Sequence, residues 1–389
     1  MKKNLFHLMA ALLLTGVVSC QKTAPTPPIA PDADKPTGLV TVRIGIPEEE
    51  TKVLANTDNV KDFQINSVQV FVFDHSDYPT DGSDKLETDY YYEPATPVSN
   101  TVDVTLNMTT DYKFIYVLVN KARMYRERGS YTLADFEAEL VDLAENSPTG
   151  LLMAGKGNIE VYGYSNNQAP QRMAVYVRRL CAMVKLSSVK VDFSQTSLAG
   201  ATFKITGMYL KNAVGRARMA LSGDTSDPGS EGIVPFLPLS SAQYANADYW
   251  YNKITLSGGC PAVLVDNTCN DACSTDGTAT AIGRCLFPFP NATTTDSHSN
   301  TWSARKTRLT VKAHVTKNAD GISIDEDTYY TFDLPVLTSN KVYNIQNIHI
   351  TQMGKPDDNT DAEVWGAVVS PTILVDEWDS DVINLSYEF

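Results

Sequence analysis

The chain has 389 residues, 43% of them apolar and 20% charged, with 32 Lys and Arg against 46 Asp and Glu for a net charge of −14. Such a composition excludes an intrinsically disordered chain, and the length corresponds to about two domains. The acidic balance argues against a nucleic-acid binder, which needs a basic stripe, and 19 Tyr with many Val and Thr favour strands over helices.

Lys2 and Lys3 precede an apolar run from Leu5 to Val18. The run is too short to span a bilayer and has the build of a secretory signal. It ends in Val17-Val18-Ser19-Cys20, which resembles a bacterial lipobox. The expectation is a signal peptide over 1–19 and an acylated (palmitate-bearing) Cys20, a stable anchor because each buried CH₂ contributes about 0.8 kcal/mol. Residues 20–37, with five prolines, read as an extended spacer.

Residues 38–172 are expected to form a first sandwich. Leu39, Val40, Val42, Ile44 and Ile46 make a strand closed by Pro47. Val68, Val70 and Val72 alternate with Phe71 and Phe73, and Val102, Val104 and Leu106 give another buried face. Tyr112 to Val119 is apolar on both faces, as a central strand would be, and stops at Asn120. Tyr131 to Glu145 reads as the one helix, capped by Thr132 with Asp135, with a stripe of Leu133, Phe136, Leu140 and Leu143.

A second sandwich is expected over 173–389. Leu180, Ala182, Val184 and Leu186 alternate, as do Leu309, Val311, Ala313 and Val315, which leaves His314 facing solvent. Cys181, in an apolar strand, reads as a buried small hydrophobe. Tyr343, Ile345, Ile348 and Ile350 change phase near Asn347, suggesting a β-bulge. Many short strands in turn-rich gaps point to a mainly β fold, two antiparallel sandwiches in series with one short helix in the first. After the acidic stretch Asp357 to Asp361 comes a tail, about 370–389, in which Ile383, Leu385, Tyr387 and Phe389 alternate with Asn384, Ser386 and Glu388. A seven-residue strand spans about 23 Å and presents its four apolar side chains to one groove, so this tail reads as a strand offered to another molecule's sheet. Pairing within its own domain is the alternative.

Cys260, Cys269, Cys273 and Cys285 lie in a loop-rich stretch. In an exported chain they read as a disulfide staple whose pairing the sequence leaves open, with a Cys₄ zinc site as the rival; the intervals lack the close pairs zinc prefers. Asp266, Asp271 and Asp276 do not follow the calcium-loop spacing. There is no GxSxG, HExxH, Walker A or GxGxxG followed by a helix, and His75, His298, His314 and His349 fall in no catalytic spacing. The reading is a non-enzyme without cofactor or metal.

Several segments together resemble the fimbrillin family, the type V pilus subunits of Bacteroidetes: the lipobox at Cys20, Phe114 to Asn120, the Met-small-Gly turn in Leu151 to Gly155, Arg179 to Leu186, Asn340 to Ile345, and the closing Trp378 with Tyr387-Glu388-Phe389. The resemblance implies transthyretin-like sandwiches and a chain exported as a lipoprotein, anchored in the outer membrane before cleavage and later part of a surface fimbrium. It further implies that a trypsin-like protease cuts beyond the first strand, after Lys52 with Lys61 as the backup, and removes 39–52. The neighbour's tail strand then fills the vacated groove, giving a polymer with itself and other fimbrial subunits that contributes to adhesion to host or bacterial surface ligands. Two alternatives stand beside this reading. One is a fimbrial tip adhesin using the loop from Cys260 to Cys285; the other is a monomeric glycan-binding surface lipoprotein with Trp250, Tyr249 and Tyr251 as a stacking platform.

Overall fold

The computed structural model describes residues 36–45, 64–75, 83–99, 101–163, 169–222, 236–251, 260–296, 303–346, 348–358 and 372–377. The first half supplies β1 (Thr37–Gly45), β2 (Gln64–Ile65), β3 (Val68–Asp74), β4 (Lys85–Tyr92), β5 (Val98–Ser99), β6 (Thr101–Thr109) and β7 (Asp111–Val119). Helix α1 (Leu133–Ala138) and strands β8 (Leu140–Asp142), β9 (Met153–Val161), β10 (Gln171–Tyr176) and β11 (Arg178–Arg179) complete it. A three-stranded sheet in the order β10-β1-β6 faces a five-stranded sheet in the order β11-β9-β7-β3-β4. Period-two alternation puts Val40, Val42 and Ile44 of β1 and Val102, Val104 and Leu106 of β6 on the inner face. There they meet Val68, Val70 and Val72 of β3 and Ile115, Val117 and Val119 of β7 in one buried core.

The second half supplies β12 (Met183–Asp192), β13 (Thr202–Lys211), β14 (Ala213–Val214), β15 (Arg216–Arg218) and α2 (Ser241–Tyr244). It continues with β16 (Trp250–Tyr251), β17 (Val265–Asp266), β18 (Asp271–Cys273), β19 (Asp276–Leu286), β20 (Arg308–Ala319) and β21 (Ile322–Asp333). Strands β22 (Lys341–Gln346), β23 (Ile348–Ile350) and β24 (Thr372–Glu377) end it. One sheet runs β19-β12-β22-β24 with β23 also on β12; the other runs β17-β13-β20-β21 with β18 also on β13.

The mainly β expectation holds, with four differences of detail. The helix ends at Ala138, not Glu145: Glu139 turns extended, and Leu140–Asp142 pair antiparallel with β15. The helical spacing of Leu140 is thus overridden by a strand partner far away in the chain. The Thr132–Asp135 capping box forms as expected. The sheets are not purely antiparallel, since β1 runs parallel to β10 and β12 parallel to β22 and β23. A boundary at 172/173 would cut β10, whose pairing with β1 extends to Tyr176. Met153, Ala154 and Gly155 open β9 and do not form a turn.

The two pairs of sheets also share an interior. The outer face of the five-stranded sheet carries Phe71, Phe73 and Tyr116, with Phe136 of α1 over Tyr116 at 4.6 Å between ring centres. These residues belong to the same apolar cluster as Val184, Leu186, Phe203 and Leu309 of the second half. The junction is pinned by Lys156 Nζ donating to the Leu221 carbonyl at 3.1 Å and by Leu143 N donating to the Gly215 carbonyl at 2.8 Å.

Candidate functional site: the first strand and its groove

β1 is the middle strand of its sheet. It is antiparallel to β6 along its whole length, from Thr37 opposite Thr109 to Gly45 opposite Thr101, and parallel to β10 from Val40 opposite Gln171 to Gly45 opposite Tyr176. Val40, Val42 and Ile44 are fully buried. Their neighbours are Leu106, Val104 and Val102 on one side, and Met173 and Val175 on the other, beside Val42 and Ile44. Full burial of such a side chain contributes roughly 1.5–3 kcal/mol. The strand start is held closely: Thr110 N donates to the Pro36 carbonyl at 3.0 Å, and a methyl at Gly38 would lie 2.4 Å from the Tyr162 carbonyl oxygen.

The solvent face of the same strand is polar. Thr41 Oγ1 lies 2.9 Å from Thr105 Oγ1. Arg43 Nε and Nη2 donate to the two carboxylate oxygens of Asp103 at 2.8 and 2.9 Å. The hydrogen bond from Arg43 holds the Asp103 carboxyl below the usual carboxylate range, and Arg172 on the far side adds to the effect. Arg43 lies inside a strand paired on both sides.

Residues that resemble family motifs turn out to be structural joints. Asn120 adopts a left-handed conformation, φ 63°, that Asn tolerates better than most side chains. Its side chain accepts from Asn66 N at 2.7 Å and donates to the carbonyls of Gln64 and Leu151 at 2.8 and 2.9 Å. Asn340, φ 56°, donates its backbone N–H to the Cys181 carbonyl at 2.9 Å and accepts from Arg179 N at 3.3 Å through its side chain. Cys181 is fully buried, as expected, and its thiol is pushed up by desolvation. A feature with no sequence signal is Lys113, fully buried near the start of β7, whose ammonium meets Asp74 at 2.5 Å and Glu87 at 2.8 Å.

The cysteine staple is not formed: no disulfide joins Cys260, Cys269, Cys273 and Cys285. Cys269 and Cys273 are buried beside β13, their thiols donating to the Asp266 and Asp271 carbonyls at 3.6 and 3.7 Å. Burial pushes them up to about 12 and about 11, so they behave as small apolar fillers. The aspartate cluster is occupied by an internal cation, since the Arg284 guanidinium donates to Asp271 at 3.1 and 3.2 Å and to Asp266 at 3.2 Å. Trp250 is not displayed as a platform: it is buried, its indole N–H donating to the Tyr244 carbonyl at 3.0 Å. His314 is half-exposed, as expected, between Asp325 and Asp327 at 2.9 and 3.0 Å. Burial changes phase between Ile345 and Ile348 as expected, while β22 and β23 keep one register along β12; residue 347 itself lies outside the described residues. Cys20, Lys52, Lys61, Ile383, Leu385, Tyr387 and Phe389 lie outside the described residues.

Residues 39–168 match the family model of the Major fimbrial subunit protein (FimA), the family that the sequence motifs resemble. A fimbrilin (FimA) from Porphyromonas gingivalis W83 has the same fold, 16% identical with a TM-score of 0.53 over 89% of this chain and 99% of its own. A candidate cell adhesion protein from Bacteroides eggerthii DSM 20697 is 16% identical with a TM-score of 0.52, over 88% of this chain and 97% of its own. Another from Parabacteroides distasonis ATCC 8503 is 16% identical with a TM-score of 0.51, over 88% of this chain and all (100%) of its own. Among curated proteins no relative matches.

Proposed function

We propose that this chain is a structural subunit of a surface fimbrium, exported as a lipoprotein on Cys20 and polymerised by strand exchange, contributing to adhesion. A trypsin-like protease cuts after Lys52, with Lys61 as the backup, and β1 leaves with the lipid-bearing segment. The tail of a neighbouring subunit, through Ile383, Leu385, Tyr387 and Phe389, then fills the groove. The observation that carries this reading is the position of β1 between β6 and β10 with Val40, Val42 and Ile44 fully buried. Its loss strips two strands of their partners and exposes Val102, Val104, Leu106 and Val175, a surface that demands a replacement strand. The alternating tail supplies apolar side chains at the same two-residue spacing. The burial of Trp250 removes the best platform for the glycan-binding alternative.

The test is limited trypsin treatment of the chain beginning at Gln21, followed by mass spectrometry and electrophoresis without boiling. Cleavage after Lys52 with a ladder of multimers, abolished by deleting residues 379–389, is the expected result. A clean monomer after the same cut would contradict polymerisation by this route.

A further inference from the structure

We propose that Asp103 is a specificity-determining residue of the groove: it rejects an acidic side chain on the solvent face of the incoming strand and so excludes one of that strand's registers. The proposal rests on the strand-exchange reading above. Asp103 stands on the outer face of β6, directly opposite Arg43, and its counterion belongs to the strand that is removed. After removal the groove keeps an apolar floor, from Val102, Val104 and Leu106, but its rim carries a carboxylate that an incoming residue must meet. Arg172 lies one row away, opposite Thr41, on the other wall. With β1 in place the side chain of Asp103 is 31% exposed, and a strand seated in the same row covers it again, so a charge placed beside it is incompletely screened.

The rows of β1 turn this into a choice among registers. Val40, Val42 and Ile44 define three inward rows, and Arg43 the outward row between the last two. A donor running in the direction of β1 fills all three inward rows in two ways. With Ile383, Leu385 and Tyr387 inward, Ser386 falls in the row of Arg43 and its hydroxyl can donate to Asp103. With Leu385, Tyr387 and Phe389 inward, Glu388 falls there, carboxylate against carboxylate. In the reversed direction, Phe389, Tyr387 and Leu385 inward again put Ser386 beside Asp103, with Glu388 in the row of Arg172, and Tyr387, Leu385 and Ile383 inward put Asn384 beside Asp103. Apolar complementarity alone does not separate these registers, because every one fills the same rows; Asp103 excludes the one that brings Glu388 to it. Like charges directly opposite are destabilising, and opposite ones favourable.

The test adds labelled peptides with the sequence of residues 379–389 to the full chain beginning at Gln21 during trypsin treatment, and reads peptide capture and shortening of the ladder. Peptides carry Ser386, Ser386→Lys with its ammonium dimethylated so that it stays cationic but resists trypsin, or Ser386→Glu, and each is run against wild type and Asp103→Asn, whose fold is checked by urea unfolding. The expected order on wild type is Lys over Ser over Glu, with about a five- to tenfold spread in half-maximal concentration. The spread should shrink in high salt and collapse in Asp103→Asn. Equal capture of all three peptides by wild type, or an unchanged spread in Asp103→Asn, would overturn the role of Asp103 while leaving strand exchange intact. Capture of none of them, with no ladder, would overturn strand exchange and this inference with it.

Discussion

At the scale of single residues, the polar side chains that matter most are those that hold backbone, not those that do chemistry. Asn120 combines a left-handed φ with three side-chain hydrogen bonds that tie β2 and the segment before β9 to the end of β7. Asn120→Ala should destabilise the fold by about 2–3 kcal/mol in urea unfolding, from lost bonds and a conformation Ala resists. Lys211 offers a different signature. It is buried, pairs with Asp358, and desolvation lowers it to about 8. The unfolded chain, with an ordinary lysine near 10.4, binds more protons than the folded one between those values. Stability should therefore contain a component that rises with pH from about 8 to about 10.5, measurable by unfolding across that range and absent in Lys211→Met. Neither role was legible in the sequence. Asn120 could be seen to end a strand, but its three partners lie 31 to 56 residues away. Lys113 was hidden for the same reason, since Asp74 and Glu87 come from other strands.

At the scale of elements, period-two alternation was a dependable guide and helical periodicity a poor one. The buried faces of β1, β6 and β20 follow the alternation except at Gly45, Thr109 and Thr310, because each strand lies over a core and sets its own inside and outside. The apolar stripe after α1 failed because Leu140–Asp142 found a strand partner in Arg216–Arg218, a contact no local pattern encodes. The cysteines misled by composition: two of them fill core positions beside β13, where their thiols are as serviceable as an alanine or a valine. Gly155 is a further case. A methyl there would lie 2.5 Å from the Tyr176 carbonyl oxygen and 2.9 Å from Val175 Cγ1, so β9 can pass under the β10 wall of the groove only as glycine. Gly155→Val is expected to cost about 1–3 kcal/mol in urea unfolding, with a full-stability variant contradicting the close approach.

At the scale of the whole molecule, two pairs of sheets share a continuous apolar interior, yet their exposed edges are treated differently. The β21 edge carries Asp325, Glu326 and Asp327, charges that discourage pairing with another chain. The three-stranded sheet of the first half instead keeps β1, with Val40, Val42 and Ile44 fully buried, in the middle, between β6 and β10. That contrast sets the central claim: assembly depends on β1 leaving, and on nothing else in the sandwich unfolding. The most direct measurement is to prevent the departure without altering the core. Thr41 and Thr105 face each other across β1 and β6 with their hydroxyl oxygens 2.9 Å apart on the solvent side. A Thr41→Cys, Thr105→Cys chain can therefore be locked by oxidation and released by reductant, and its polymerisation followed after trypsin. The account expects cleavage in both states but a ladder only in the reduced one. A ladder of equal length from the oxidised protein would contradict it, because the groove would then have been filled with β1 still in place.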